Sequence, residues 1–72
     1  YNEYIMTGLR TMWGVNDQKI QNFGVEYLTY FMSLIQHEIQ KGHVIKNNGN
    51  YSLSKEGKHF ADRIAMNLFY VD

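Results

Sequence analysis

Cysteine is missing from this sequence altogether. That excludes disulfides, thiolate zinc sites and iron–sulfur ligation by any of its residues. Proline is missing as well, so glycine alone is left to punctuate the chain. A charge surplus is the third absence, because seven Lys and Arg balance seven Asp and Glu. A nucleic-acid binder usually carries a basic excess to neutralise phosphates, and an anionic membrane surface selects for the same excess. Long apolar runs are also absent. None approaches the ~18 residues of a spanning helix and no secretory signal opens the chain, so a cytoplasmic location is the expectation.

What remains is short. Seventy-two residues make one domain, and a domain of this size buries only about 60% of the surface its unfolded chain exposes. Without disulfides, a partner surface is the remaining route to added stability, and 15% aromatic content suits one. The chain opens at Tyr1 rather than at methionine, the expectation for a piece of a longer polypeptide.

Helical periodicity runs through most of it. Ile5, Leu9 and Met12 recur at spacings of four and three, which predicts a first helix capped by Asn2 and ended by Gly14 in the C′ role. Gly8 falls inside that helix, where glycine marks the close approach of another backbone. Asn16 and Asp17 read as the cap of a short second helix over residues 18–23, stopped by Gly24. Val25, Leu28, Met32, Ile35 and Ile39, widened by Phe31, form the stripe of a third helix ending at Lys41 and Gly42. Its neighbouring face, Glu26, Thr29, Ser33, Gln36 and Gln40, is polar and almost uncharged.

Val44-Ile45 and Tyr51-Ser52-Leu53 flank Asn47-Asn48-Gly49-Asn50, the pattern of a hairpin with a tight turn. Ser54 reads as the cap of a last helix carrying Phe60, Ile64 and Leu68 four apart, with Ala61 and Ala65 beside them. The expected fold is mainly α with a small β-hairpin (α+β). Its order of three helices, a hairpin and a closing helix is winged-helix-like, with the hairpin in the place of the wing.

The candidate functional residues are few. His37 and His43 straddle Gly42, so helical geometry does not bring them together, and no acidic residue near them or near His59 makes a known zinc spacing. All three read as surface or partly packed side chains. A DNA-reading third helix would present cations to phosphates, yet this one offers only terminal Lys41, the wing offers only Lys46, and Glu26 and Glu38 oppose. Arg10 and Trp13 lie three apart on the expected first helix, so both can project to one side of it. The tail Leu68-Phe69-Tyr70-Val71 holds more apolar surface than one helix face hides. Arg10, Trp13, Phe69 and Tyr70 are therefore the candidate interdomain contacts, with terminal packing the alternative for the tail, and simple solvation or a carboxylate of this same domain the alternatives for Arg10.

Several of these runs, taken in order, resemble one family. Glu3-Tyr4-Ile5-Met6-Thr7-Gly8-Leu9-Arg10, then Gly14-Val15, then Phe23-Gly24, then Gly42 before an apolar pair, then Tyr51-Ser52-Leu53-Ser54-Lys55-Glu56-Gly57-Lys58 span nearly the whole chain. Together they resemble the C-terminal domain of the oxygen-independent coproporphyrinogen III oxidase-like proteins. The Gly-Leu-Arg form looks more like the haem-chaperone branch. The resemblance implies that residues 1–72 are a single C-terminal accessory domain, packed on the radical-SAM barrel of the same polypeptide. It implies a parent that uses a four-iron (4Fe-4S) cluster and S-adenosylmethionine and takes a tetrapyrrole, coproporphyrinogen or haem. That family's Cys-x-x-x-Cys-x-x-Cys motif is not in this sequence, so no catalytic, cofactor-binding or metal residue carries over. A free-standing winged-helix DNA-binding regulator is the rival reading, and a homodimerising module a third.

Charge decides between the first two. Duplex DNA should bind this chain no tighter than the ~10⁻⁴ to 10⁻⁶ M of non-specific contacts. A sequence-selective gel shift at physiological salt would reinstate the regulator.

Overall fold

The computed structural model describes residues 1–71. Its elements run α1 (Asn2–Leu9), β1 (Val15–Asn16), α2 (Asp17–Phe23), α3 (Val25–Gln40), β2 (Val44–Asn47), β3 (Asn50–Leu53), a 3₁₀ turn (Gly57–Phe60) and α4 (Ala61–Leu68). The three strands form one antiparallel sheet in the order β1-β3-β2, with Val15 opposite Tyr51 and Val44 opposite Leu53. This is the expected mainly helical α+β, winged-helix-like fold. The two-residue strand β1 is an addition that no alternation in the sequence announces.

The punctuation explains the boundaries. The Asn16 side chain accepts from the amides of Gln18 and Lys19 at 2.9 and 3.3 Å, satisfying two of the free donors at the start of α2. At the end of α3, Gly42 adopts φ +79° and its amide bonds the Ile39 carbonyl, while the His43 amide bonds the Glu38 carbonyl at 2.9 Å. That pair of bonds is the Schellman arrangement, and it turns the chain out of α3 into β2. Asn48 and Gly49, both at positive φ, make the two-residue hairpin turn, whose hand matches the twist of the strands.

The first helix departs from expectation. It ends at Leu9, not at Gly14, and Asn2 does not cap it. Asn2 instead lies inside the helix and clasps the far end of the chain, accepting from the Tyr70 amide at 2.7 Å and donating to its carbonyl at 3.1 Å. The physical reason for the early stop is β1. Gly14, at φ +71°, lies so close to the central strand that a Cβ there would fall 2.0 Å from the Tyr51 carbonyl oxygen. To reach that position the chain must leave the helix, and the Thr11 hydroxyl assists by donating to the Gly8 carbonyl at 2.8 Å. Gly8 does mark a close approach, although chiefly of a side chain: a Cβ there would meet the Val15 side chain at 2.6 Å and the Gly14 carbonyl oxygen at 3.3 Å. Two further expectations shift. Ser54 does not cap α4, which begins after Phe60; its hydroxyl accepts from the Gly57 amide at 3.0 Å in the turn that leads into the 3₁₀ segment, and Met12, Val25 and Phe60 lie outside the core that their spacing suggested.

The core comprises Ile5 and Leu9 of α1, Val15, Ile20, Phe31 and Ile35, Val44, Tyr51 and Leu53 of the sheet, and Ile64, Ala65 and Leu68 of α4. Tyr51 packs edge-on against Phe31 with ring centroids 5.1 Å apart. A second aromatic layer closes the end where the termini meet. Tyr1 stacks on Tyr27 at 5.3 Å, and Tyr70 meets both Tyr27 and Tyr30 edge-on at 4.9 and 5.0 Å. The Tyr1 and Tyr30 hydroxyls each donate to a tail carbonyl, Leu68 and Phe69, at 2.7 Å.

Burial pushes the phenol of Tyr1 upward, reinforced by neighbouring Tyr30, and pushes that of Tyr51 upward, reinforced by Asp17. Unfolded tyrosines ionise near pH 10, so above that pH the unfolded chain sheds protons that the folded chain retains. The contribution of these tyrosines to stability should therefore be constant below pH ~9, and stability should fall as pH rises beyond ~10. Denaturant melts of the wild type and of Tyr1→Phe across this range test it. An unchanged midpoint up to pH ~11 would contradict the assignment.

Candidate functional site

Two places gather chemistry-bearing side chains, and both lie against α4. The first is built on Glu38. Its position, seven after Phe31 and three after Ile35, places a carboxylate on the buried face of α3, where it is only 4% exposed. A charge in that position must be satisfied. The Schellman turn brings His43 back over the helix end, with Nδ1 3.1 Å from Glu38 Oε1, and Lys41 Nζ lies 3.7 Å from Oε2. His43 also packs against the Phe60 ring at 5.3 Å. A cleft of about 220 Å³ opens beside this pair, lined by Lys41, Phe60, Arg63, Ile64 and Asn67. The carboxylate joins the end of α3 to the root of the wing and, through His43, to the 3₁₀ turn. Its one visible signal in the sequence is a Glu at the spacing of an apolar stripe.

The second place is the corner where α1 ends against α4. Arg10, just past the helix, pairs with the Asp62 carboxylate, and both side chains remain largely in solvent. An open groove of about 500 Å³ adjoins the pair, lined by Arg10, Lys58, His59, Phe60, Asp62 and Arg63. The 3₁₀ turn that forms one wall is held from beneath. Gly57 lies where a Cβ would fall 2.0 Å from the His43 carbonyl oxygen, and the Ser54 hydroxyl donates to the Gly42 carbonyl at 2.5 Å.

The candidate interdomain residues thus separate. Arg10 and Trp13 do not share a helix face, because α1 has ended before either. Trp13 sits in the turn between α1 and β1 and is 75% exposed beside Met12 at 79%. Phe69 and Tyr70 are partly buried in the domain's own terminal packing, Tyr70 among Tyr27, Tyr30 and Asn2. His37 and His59 are exposed and lie apart from the Glu38–His43 pair's hydrogen bond. Among the described residues no three His, Asp or Glu side chains gather as a metal site would need, and no helix is long and apolar enough to cross a membrane.

Set against known proteins, the chain matches no family model, no curated protein and no solved structure. What the residues do is therefore argued from their geometry.

Glu38→Ala should leave His43 and Lys41 without their acceptor and open space under the wing, lowering stability by about 1–3 kcal/mol. Glu38→Gln keeps the shape and one acceptor and should cost less. Urea melts of the two variants check the order, and equal losses would mean that packing alone matters there.

Proposed function

We propose that this chain is a non-catalytic C-terminal accessory domain of an oxygen-independent coproporphyrinogen III oxidase-like radical-SAM protein of the cytoplasm. In this reading it packs on the catalytic barrel and helps to shape or cover the tetrapyrrole site. The barrel supplies the cluster and S-adenosylmethionine, and this chain supplies a surface.

The observation that supports the reading most is the turn between α1 and β1. A tryptophan and a methionine, each about three-quarters exposed or more, stand next to each other in this turn. Large exposed apolar side chains side by side are the usual mark of a contact surface. The same turn follows the Gly-Leu-Arg run on which the resemblance rests, and Gly8 and Gly14 fix its shape. The exposed side of α3 weighs against the DNA-binding alternative. It presents Glu26, Thr29, Ser33, Gln36 and Gln40 to solvent, with no cation among them.

Trp13→Ala and Arg10→Ala should leave the stability of this domain within about 0.5 kcal/mol, because neither side chain is part of its core and exposed ion pairs contribute little. In the full-length parent, Trp13→Ala should speed proteolytic release of the domain and weaken tetrapyrrole binding. Thermal melts of the domain and limited proteolysis of the parent read the two halves. A large loss of stability in the isolated domain would make Trp13 a structural residue and remove the interface.

A further inference from the structure

The groove at the α1–α4 corner concentrates charge in a chain that has none to spare. Of seven Lys and Arg in the sequence, Arg10, Lys58 and Arg63 line it together with His59, and the single carboxylate in its lining, Asp62, is already engaged by Arg10. Phe60 lies among these cations with 46% of its surface exposed. The wall bearing Lys58, His59 and Phe60 is preformed, because Gly57 is seated on the His43 backbone and the Ser54 hydroxyl bonds both Gly42 and Gly57. Preformed groups lose little freedom on binding.

We propose that this groove docks an acidic segment of a protein partner, with carboxylates meeting Lys58 and Arg63 and an apolar side chain covering Phe60. The cations are exposed, so each contact is weak and a lone small anion is poorly held. Carboxylates tied into one segment act together, since the first contact raises the effective concentration of the rest. Arg63 offers a planar fork that suits a carboxylate, and Phe60 offers a surface that a purely ionic ligand leaves uncovered. Nucleic acid fits less well. It carries a phosphate at every step, whereas the groove has three Lys and Arg beside Asp62, with exposed Glu56 just ahead of the 3₁₀ turn. A peptide can space its charges around an apolar residue. The inference stands apart from the reading of the parent protein, because it concerns a groove complete within this chain.

Three fluorescently labelled probes test it by anisotropy on this chain. They are a short peptide with one Phe flanked by glutamates, the same peptide with every Glu replaced by Gln, and a short single-stranded oligonucleotide. The acidic peptide should bind with a Kd of about 10 µM to 1 mM at low salt and weaken as salt rises. Binding should fall about tenfold or more for the Lys58→Glu, Arg63→Glu double variant. Both residues are exposed, so the variant should keep its fold, which circular dichroism checks. Failure of the acidic peptide to bind at ~1 mM overturns the proposal. So do equal binding of the Gln peptide, tighter binding of the oligonucleotide, and unchanged affinity of the folded double variant.

Discussion

Tyr51 is the residue on which the rest of this small fold converges. It sits on the central strand, bonded to β1 on one side and β2 on the other, and its side chain is buried against Phe31 of α3. Its hydroxyl reaches the Met32 sulfur at 3.4 Å, and its carbonyl is approached so closely by Gly14 that no side chain fits there. One residue thereby ties the sheet to the longest helix and dictates where the chain leaves α1. The short first helix, the exposed Trp13 and the position of Arg10 beside α4 all descend from that constraint.

A domain of this size has little apolar area to spend, and it compensates by locking its ends together. Tyr1, Asn2, Tyr27, Tyr30 and Tyr70 form a polar-tipped aromatic layer in which each hydroxyl that turns inward finds a carbonyl. Tyrosine suits this work because its ring contributes area while its hydroxyl satisfies a backbone group that would otherwise be stranded. The tail is in consequence part of the fold, with Phe69 and Tyr70 serving this domain. Met12, Trp13 and the cationic groove lie at the other corner, near the end of α1.

The two sites against α4 differ in how charge is handled. Glu38 is buried and held by His43 and Lys41, so its energetic role is structural: a carboxylate taken out of water is tolerable only while its partners remain. Arg10, Lys58 and Arg63 keep their hydration, so their contribution to this domain's own stability is small even where Arg10 pairs with Asp62. Both arrangements depend on a local glycine: Gly42 supplies the positive φ that ends α3, and Gly57 lets the 3₁₀ turn pass close to the His43 backbone.

Helical periodicity and the cap and turn residues determined α2, α3, the hairpin and the α+β class, because those signals are local: Asn16, Gly24, Gly42 and Asn48-Gly49 each act within a few residues of themselves. The same local reasoning placed Gly8 at a close contact. Only the tertiary structure decided the extent of α1, because a helix-compatible stretch was overruled by the pairing of Val15 with Tyr51, thirty-six positions later. It alone decided that Asn2 clasps Tyr70 rather than capping a helix, and that Met12, expected on the inward stripe, faces solvent. The groove was invisible in the sequence for the same reason. Arg10 and Arg63 are more than fifty positions apart, and the packing of α1 on α4 brings them together.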